Sequence, residues 1–127
     1  MKKELIAIIL VLASTVGVVI SVVSYERYQR EKVFTVDLIA RAPENGNWYP
    51  REIRLRKGER VKIRIRNVET VTHGFAIPAL DIAVGDIRAG EVKVVEFIPQ
   101  EKGKFDFLCT VWCSKHHLEM TGRIIVD

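Results

Sequence analysis

A chain of 127 residues that begins with an apolar segment of about thirty leaves roughly 95 for folding, room for one modest core and too few for a two-domain enzyme with a deep cleft. The net charge is +4, unevenly placed: eight Lys/Arg between Arg51 and Arg66 stand against Glu52 and Glu59, a local excess of +6 that leaves the rest slightly acidic. No recognition helix and no row of aromatics for bases to stack on is visible, which argues against nucleic acid as a partner.

The segment LIAIILVLASTVGVVISVV, Leu5 to Val23, has nineteen residues without a charge or a proline. As a helix it rises about 28 Å, enough to cross the hydrocarbon core of a bilayer. A cleaved signal peptide is the competing reading, with Lys2 and Lys3 as its basic start. The apolar run is longer than such leaders use, and no A-x-A-like site follows it. Lys2 and Lys3 on one flank nearly balance Arg27, Arg30 and Lys32 on the other, so the positive-inside rule barely decides the orientation. Residues 1–32 are expected to form a single transmembrane anchor and its polar stem (YERYQREK, Tyr25 to Lys32), and residues 33–127 one folded domain.

Within that domain VFTVDLIA (Val33 to Ala40) predicts a first strand, and RAPENGNWYP (Arg41 to Pro50) a loop dense in turn formers. Ile53 to Leu55 begins a short strand, and KGE (Lys57 to Glu59) a turn. VKIRIRN (Val61 to Asn67) alternates strictly, with Val61, Ile63 and Ile65 on one face and Lys62, Arg64 and Arg66 on the other. That is a half-buried strand with its basic side in water. The basic run reads as a solvated face, or else as a docking surface for an acidic partner or lipid headgroups. HGFAI predicts a strand ended by Pro78, and DIAVGDIRAG (Asp81 to Gly90) is ambiguous. EVKVVEFIP (Glu91 to Pro99) and GKFDFLC (Gly103 to Cys109) alternate again, and GRIIVD closes the chain. About six to eight short strands with no helical period outside the anchor predict an all-β fold, a small antiparallel sandwich or barrel.

The stretch CTVWCSKHHLEM, Cys109 to Met120, holds both cysteines of the chain. Cys113, His117 and Met120 are spaced C-x3-H-x2-M between two predicted strands, and His73 lies at a strand start upstream. A thiolate, two imidazoles and a weak thioether are the ligand set of a copper electron-transfer site, where soft sulfur favours Cu(I) and nitrogen suits Cu(II). Cys109 is surplus to a mononuclear site. It is either half of a disulfide with Cys113, a bystander, a zinc ligand, or a bridge to a second copper.

At this point the sequence resembles a family. CTVWCSKHHLEM is similar to the C-x3-C-x3-H-x2-M loop of CuA domains, the binuclear copper cupredoxins of cytochrome c oxidase subunit II and of the C-terminus of nitrous oxide reductase. VTHGFAI resembles their upstream histidine segment and HLEMTGRIIVD their closing strand, so that the likeness covers about Ile53 to Asp127. The resemblance implies a cupredoxin-like Greek-key β-sandwich behind one N-terminal transmembrane helix. It implies two copper ions, bridged by Cys109 and Cys113, with His73 and His117 binding one each. Met120 is then an axial ligand on one ion and the backbone carbonyl of Val111 on the other. It further implies an electron-transfer subunit without an active site of its own, in the plasma membrane with the copper domain on the outer, periplasmic side. Its partners would be a haem-copper oxidase subunit I-like protein and cytochrome c or another small donor. The alternative is a stand-alone CuA-type carrier or copper-handling protein. Three features depart from the oxidase pattern. Val111 stands where many subunits carry Glu, NWYP (Asn47 to Pro50) is a faint echo of their aromatic cluster, and the basic strand contrasts with an acidic docking face. The chain is far shorter than nitrous oxide reductase and carries no counterpart of its catalytic domain.

Overall fold

A computed structural model describes the backbone of residues 1–127 and the side chains of all but residues 29–31. The chain divides into two units, Met1–Lys32 and Val33–Asp127. The first is one helix, α1 (Lys2–Glu31). Its span Lys2–Tyr28 is long and apolar enough to cross a membrane, and its most apolar window is 0% buried in protein. A helix that is apolar all round suits lipid. Its hydroxyls suit that solvent too, because Ser14, Thr15 and Ser21 donate back to the carbonyls of Val11, Leu12 and Gly17 at 2.8–2.9 Å.

The second unit is a two-sheet β-sandwich. Its strands are β1 (Val33–Ala40), β2 (Glu52–Leu55), β3 (Arg60–Asn67), β4 (His73–Ile77), β5 (Ile82–Ile87), β6 (Val92–Phe97), β7 (Gly103–Leu108) and β8 (Thr121–Val126). One sheet has the order β1-β3-β6, the other β2-β8-β7-β4-β5. The ambiguous stretch after Asp81 is β5, an edge strand paired only with β4, and so it lacks the clean alternation of a half-buried strand. The antiparallel expectation holds for four pairings, whereas β1 with β3 and β2 with β8 run parallel. The cause is the loop 41–51, which carries the chain from one sheet to the other, so that β1 and β2 join different edges instead of forming a hairpin.

Alternation in β3 buries Val61, Ile63 and Ile65 completely and turns Lys62, Arg64 and Arg66 outward. On that outer face Arg64 grips Asp37 of β1 with two hydrogen bonds, at 2.6 and 2.7 Å, and Lys62 meets Glu96 of β6 at 2.7 Å. Two of the four cations of β3 are thus paired with carboxylates of neighbouring strands. Between the sheets Trp48, Phe75 and Phe107 meet with centroids 5.6–5.8 Å apart, all fully buried. In the stretch Asn47 to Pro50 Trp48 thus belongs to the core, and only Tyr49 of the two aromatics faces solvent.

Register fixes the two ends of the sandwich. In the first sheet Ala40 pairs with Asn67 at one end and Val33 with Arg60 at the other; in the second, Leu108 lies between Thr121 and Ala76, so that His73, three residues before Ala76 on β4, projects beyond the Leu108 end towards the loop that follows it.

Candidate metal centre

Cys109 follows β7 directly, and the loop it opens closes at Met120, just before β8. Cys109 N–H donates to the Met120 carbonyl at 3.1 Å, so the loop ends are pinned to each other. Inside it a single turn, His117–Glu119, is held by His117 N–H to the Ser114 carbonyl (3.1 Å) and Met120 N–H to the His117 carbonyl (3.0 Å). His73 enters from the neighbouring strand β4, whose register shifts between His73 and Phe75, a bulge that re-aims the side chain. Gly74 is needed beside it. Its N–H points at Cys109 Sγ (3.4 Å), and a Cβ there would collide with the Thr110 side chain.

All six groups singled out in the sequence come together at this end. The ligand atoms of His73, Cys109 and Cys113 lie within 4.8 Å of one another. His73 Nδ1 is 3.8 Å from Cys109 Sγ, and the Val111 carbonyl is 3.2 Å from the same sulfur. Cys113 Sγ lies 3.6 Å from both His117 Nδ1 and Met120 Sδ. Both cysteines are free thiols, so the disulfide alternative is not realised here. His73, Cys109, Cys113 and Met120 are buried, whereas His117 is half-buried under the exposed ring of Trp112, 5.7 Å between centroids. His116 points elsewhere, with Nδ1 3.1 Å from Glu119 Oε1.

Electrostatics sets the free side chains against each other. Burial pushes the Cys109 thiol up, but His73 and the backbone groups of Gly74 and Val111 outweigh it and hold the thiol below 9.0. Burial, and then the negative charge on Cys109, pushes Cys113 up to about 12. Burial opposes a proton on His73, yet Cys109 and Glu69 together raise it above 6.5. Two buried sulfurs side by side thus support only one negative charge, and a soft cation between them would remove the conflict. Two sulfurs, two imidazoles, a thioether and a carbonyl exceed the four positions of structural zinc and match the donors copper selects.

Sequence reasoning missed the residues that hold these groups. Glu69 Oε2 lies 2.9 Å from His73 Nε2. Trp48 Nε1–H donates to the Met120 carbonyl at 3.1 Å, and Asn47 Nδ2 to the Glu119 carbonyl at 2.9 Å. Ser114 Oγ donates to Glu44 at 2.9 Å. A carboxylate four residues before a histidine is an ordinary surface pattern unless the turn between them is known.

A β-sandwich that gathers thiols, imidazoles and a thioether in the loops at one end is a small copper-type domain. The chain belongs to the cupredoxin-like domain family, which it matches over residues 8–126. It is 40% identical over 99 residues to nitrous-oxide reductase of Ralstonia nicotianae, covering 76% of this chain and 15% of that protein, so that it spans about one seventh of this curated relative's length. Among solved structures it is similar to the periplasmic domain of subunit II of cytochrome oxidase from Bradyrhizobium japonicum (TM-score 0.63, 19% identity, 74% of this chain and 83% of that one). It is equally similar to the metal-binding domain of the Cu(I)-exporting P-type ATPase of Streptococcus pneumoniae (TM-score 0.63, 21% identity, 76% and 88%).

Proposed function

We propose that this chain is a membrane-anchored electron-transfer protein with a binuclear copper centre of the CuA type, held by His73, Cys109, Cys113, His117, Met120 and the Val111 carbonyl. In this reading it is the subunit II-type component of a haem-copper terminal oxidase. It takes electrons from cytochrome c or a similar small donor on the outer side of the plasma membrane. The observation that carries the reading is a pairing of half-sites. Cys109 has one imidazole (His73) and one carbonyl (Val111) beside it, and Cys113 has one imidazole (His117) and one thioether (Met120). Two sulfurs in the middle, with a nitrogen and a weak donor for each, is the donor count for two ions sharing two thiolates. The likeness to nitrous-oxide reductase and the apolar helix α1 support it further.

Bound copper supplies a one-electron couple. The protein's part is to hold the donors still: the loop ends are pinned at Cys109 and Met120, and the sandwich buries four of the five side chains away from water. Little can move when the charge changes, which favours fast electron transfer.

A second reading, a stand-alone carrier or copper-handling protein, is favoured by the burial of Trp48, which leaves no exposed aromatic pair at residues 47–50, and by Val111, which offers no side-chain carboxylate. The test is the metal-to-protein ratio and EPR spectrum of the detergent-solubilised full chain, with a search for co-purifying haem subunits. Two coppers with hyperfine lines from one electron shared over equivalent ions support the binuclear site. One copper with a four-line signal overturns it. A binuclear protein that never travels with a haem subunit leaves the carrier reading in its place.

A further inference from the structure

Glu69 sits outside the donor set, yet its carboxylate has three polar partners. Its side chain is 12% exposed. Oε2 accepts from Ala42 N–H at 2.6 Å and faces His73 Nε2 at 2.9 Å, while Oε1 accepts from Asn45 Nδ2 at 2.5 Å. The turn that presents it is itself fixed. Buried Asn67 accepts from Glu69 N–H at 2.8 Å and donates to the carbonyls of Val71 (2.7 Å) and Ile87 (2.8 Å).

We infer that Glu69 is a positioning residue that holds His73 with its hydrogen on Nε2 and its lone pair on Nδ1, and at the same time clasps the 42–48 loop to the ligand end. A carboxylate can only accept, so the ring nitrogen facing it must donate. The other nitrogen, 3.8 Å from Cys109 Sγ, is then the one free to bind a cation. The same loop reaches the far side of the site, because Asn47 and Trp48 hold the carbonyls of Glu119 and Met120. One carboxylate thus ties the upstream histidine to the loop that steadies the thioether.

The inference rests on the reading that His73 is a ligand. Glu69→Gln is nearly the same shape but uncharged: its one oxygen, which Ala42 N–H also needs, holds the Nε2 hydrogen more weakly than a carboxylate does. Glu69→Asp keeps the charge. The measurement is imidazole nitrogen NMR of the reduced, metal-free full chain in alkaline solution, paired with Cu(I) affinity by competition with a chelator. Wild type should hold the hydrogen on Nε2. The Gln variant should divide it between both nitrogens and bind copper about 10–100-fold more weakly, and the Asp variant should recover most of both. Unchanged nitrogen shifts and affinity in the Gln variant would overturn the inference. So would a loss of affinity with the hydrogen still on Nε2, which is what a purely structural role predicts. If wild type binds one copper, the binuclear reading fails, while the metal-free nitrogen spectra still decide the role of Glu69.

Discussion

Replacing Trp48 with phenylalanine tests whether the core and the ligand loop are one mechanical unit. The indole is fully buried, meets Phe75 edge-on at 5.7 Å and Phe107 at 5.8 Å, and donates to the Met120 carbonyl. Phenylalanine keeps a ring and loses the donor. The lost hydrogen bond costs about 1 kcal/mol, and no more, because the Met120 carbonyl keeps the Cys109 N–H and is not orphaned. The smaller ring leaves a void of roughly 40 Å³, worth about another 1 kcal/mol at ~24 cal/mol per Å³. A loss of about 2 kcal/mol lowers the melting temperature of a domain this size by roughly 8–16 °C. The assay is a thermal melt of the full chain followed by near-UV circular dichroism, which reads the packed aromatic core and is free of the helical backbone signal of α1. Trp112→Ala is the control: that ring is 71% exposed, and its loss should change stability by less than about 0.5 kcal/mol. A Trp48→Phe shift under about 3 °C would refute the coupling of core to loop.

Three further outcomes follow from the same geometry. In the metal-free protein Glu69 titrates below its ordinary 4.5 and His73 above its ordinary 6.5, so their pair stabilises the fold most between those values. The Glu69 contribution is present above pH 4.5 and lost as pH falls through its folded value. The His73 contribution is present below pH 6.5 and lost as pH rises through its folded value. Denaturant midpoints of wild type against Glu69→Gln, taken from below pH 4.5 to above pH 6.5, check both limbs. In reduced, metal-free protein at mildly alkaline pH, Cys109 should be alkylated before Cys113, whose thiol lies up at about 12. Peptide mapping by mass spectrometry distinguishes them, and equal labelling would refute the shared single charge. Gly74→Ala drives a methyl into the Thr110 side chain and should cost about 1–3 kcal/mol, with a weakened copper site read by competition titration; a neutral variant would show that the loop yields freely.

What the sequence made legible was whatever is local and periodic. The alternation of Val61, Ile63 and Ile65 names the inner face of β3, and nineteen uncharged residues name α1. The ligand loop is legible because its spacing is short and its chemistry unusual. Its partners were not. Trp48 and Asn47 reach the site across 72 positions of sequence, Glu69 through a turn whose shape depends on Asn67, and no periodicity marks such contacts. The parallel pairing of β1 with β3 was hidden for the same reason: it depends on the loop 41–51 changing sheets. The cross-strand partners of Lys62 and Arg64 were hidden in the same way, because Glu96 and Asp37 lie on other strands.

The point where the chain joins the domain bears on the two functional readings. β1 carries eight residues from Val33 to the ligand end, about 26 Å at the rise of an extended strand. Only Lys32 lies between the end of α1 and the start of β1. If the domain must present its donors to one fixed haem in a membrane partner, that tether is part of the geometry. Ten Gly/Ser residues inserted after Lys32 add a flexible span of roughly 16–19 Å and release it. Electron transfer to a co-purified haem subunit, followed by stopped-flow reduction of the haem, should then slow severalfold, while reduction of the domain by a diffusing cytochrome c stays unchanged. A carrier that meets all its partners by collision predicts no change in either rate. Unchanged haem reduction in a complex that still assembles would therefore sink the fixed-subunit reading and leave the copper site intact.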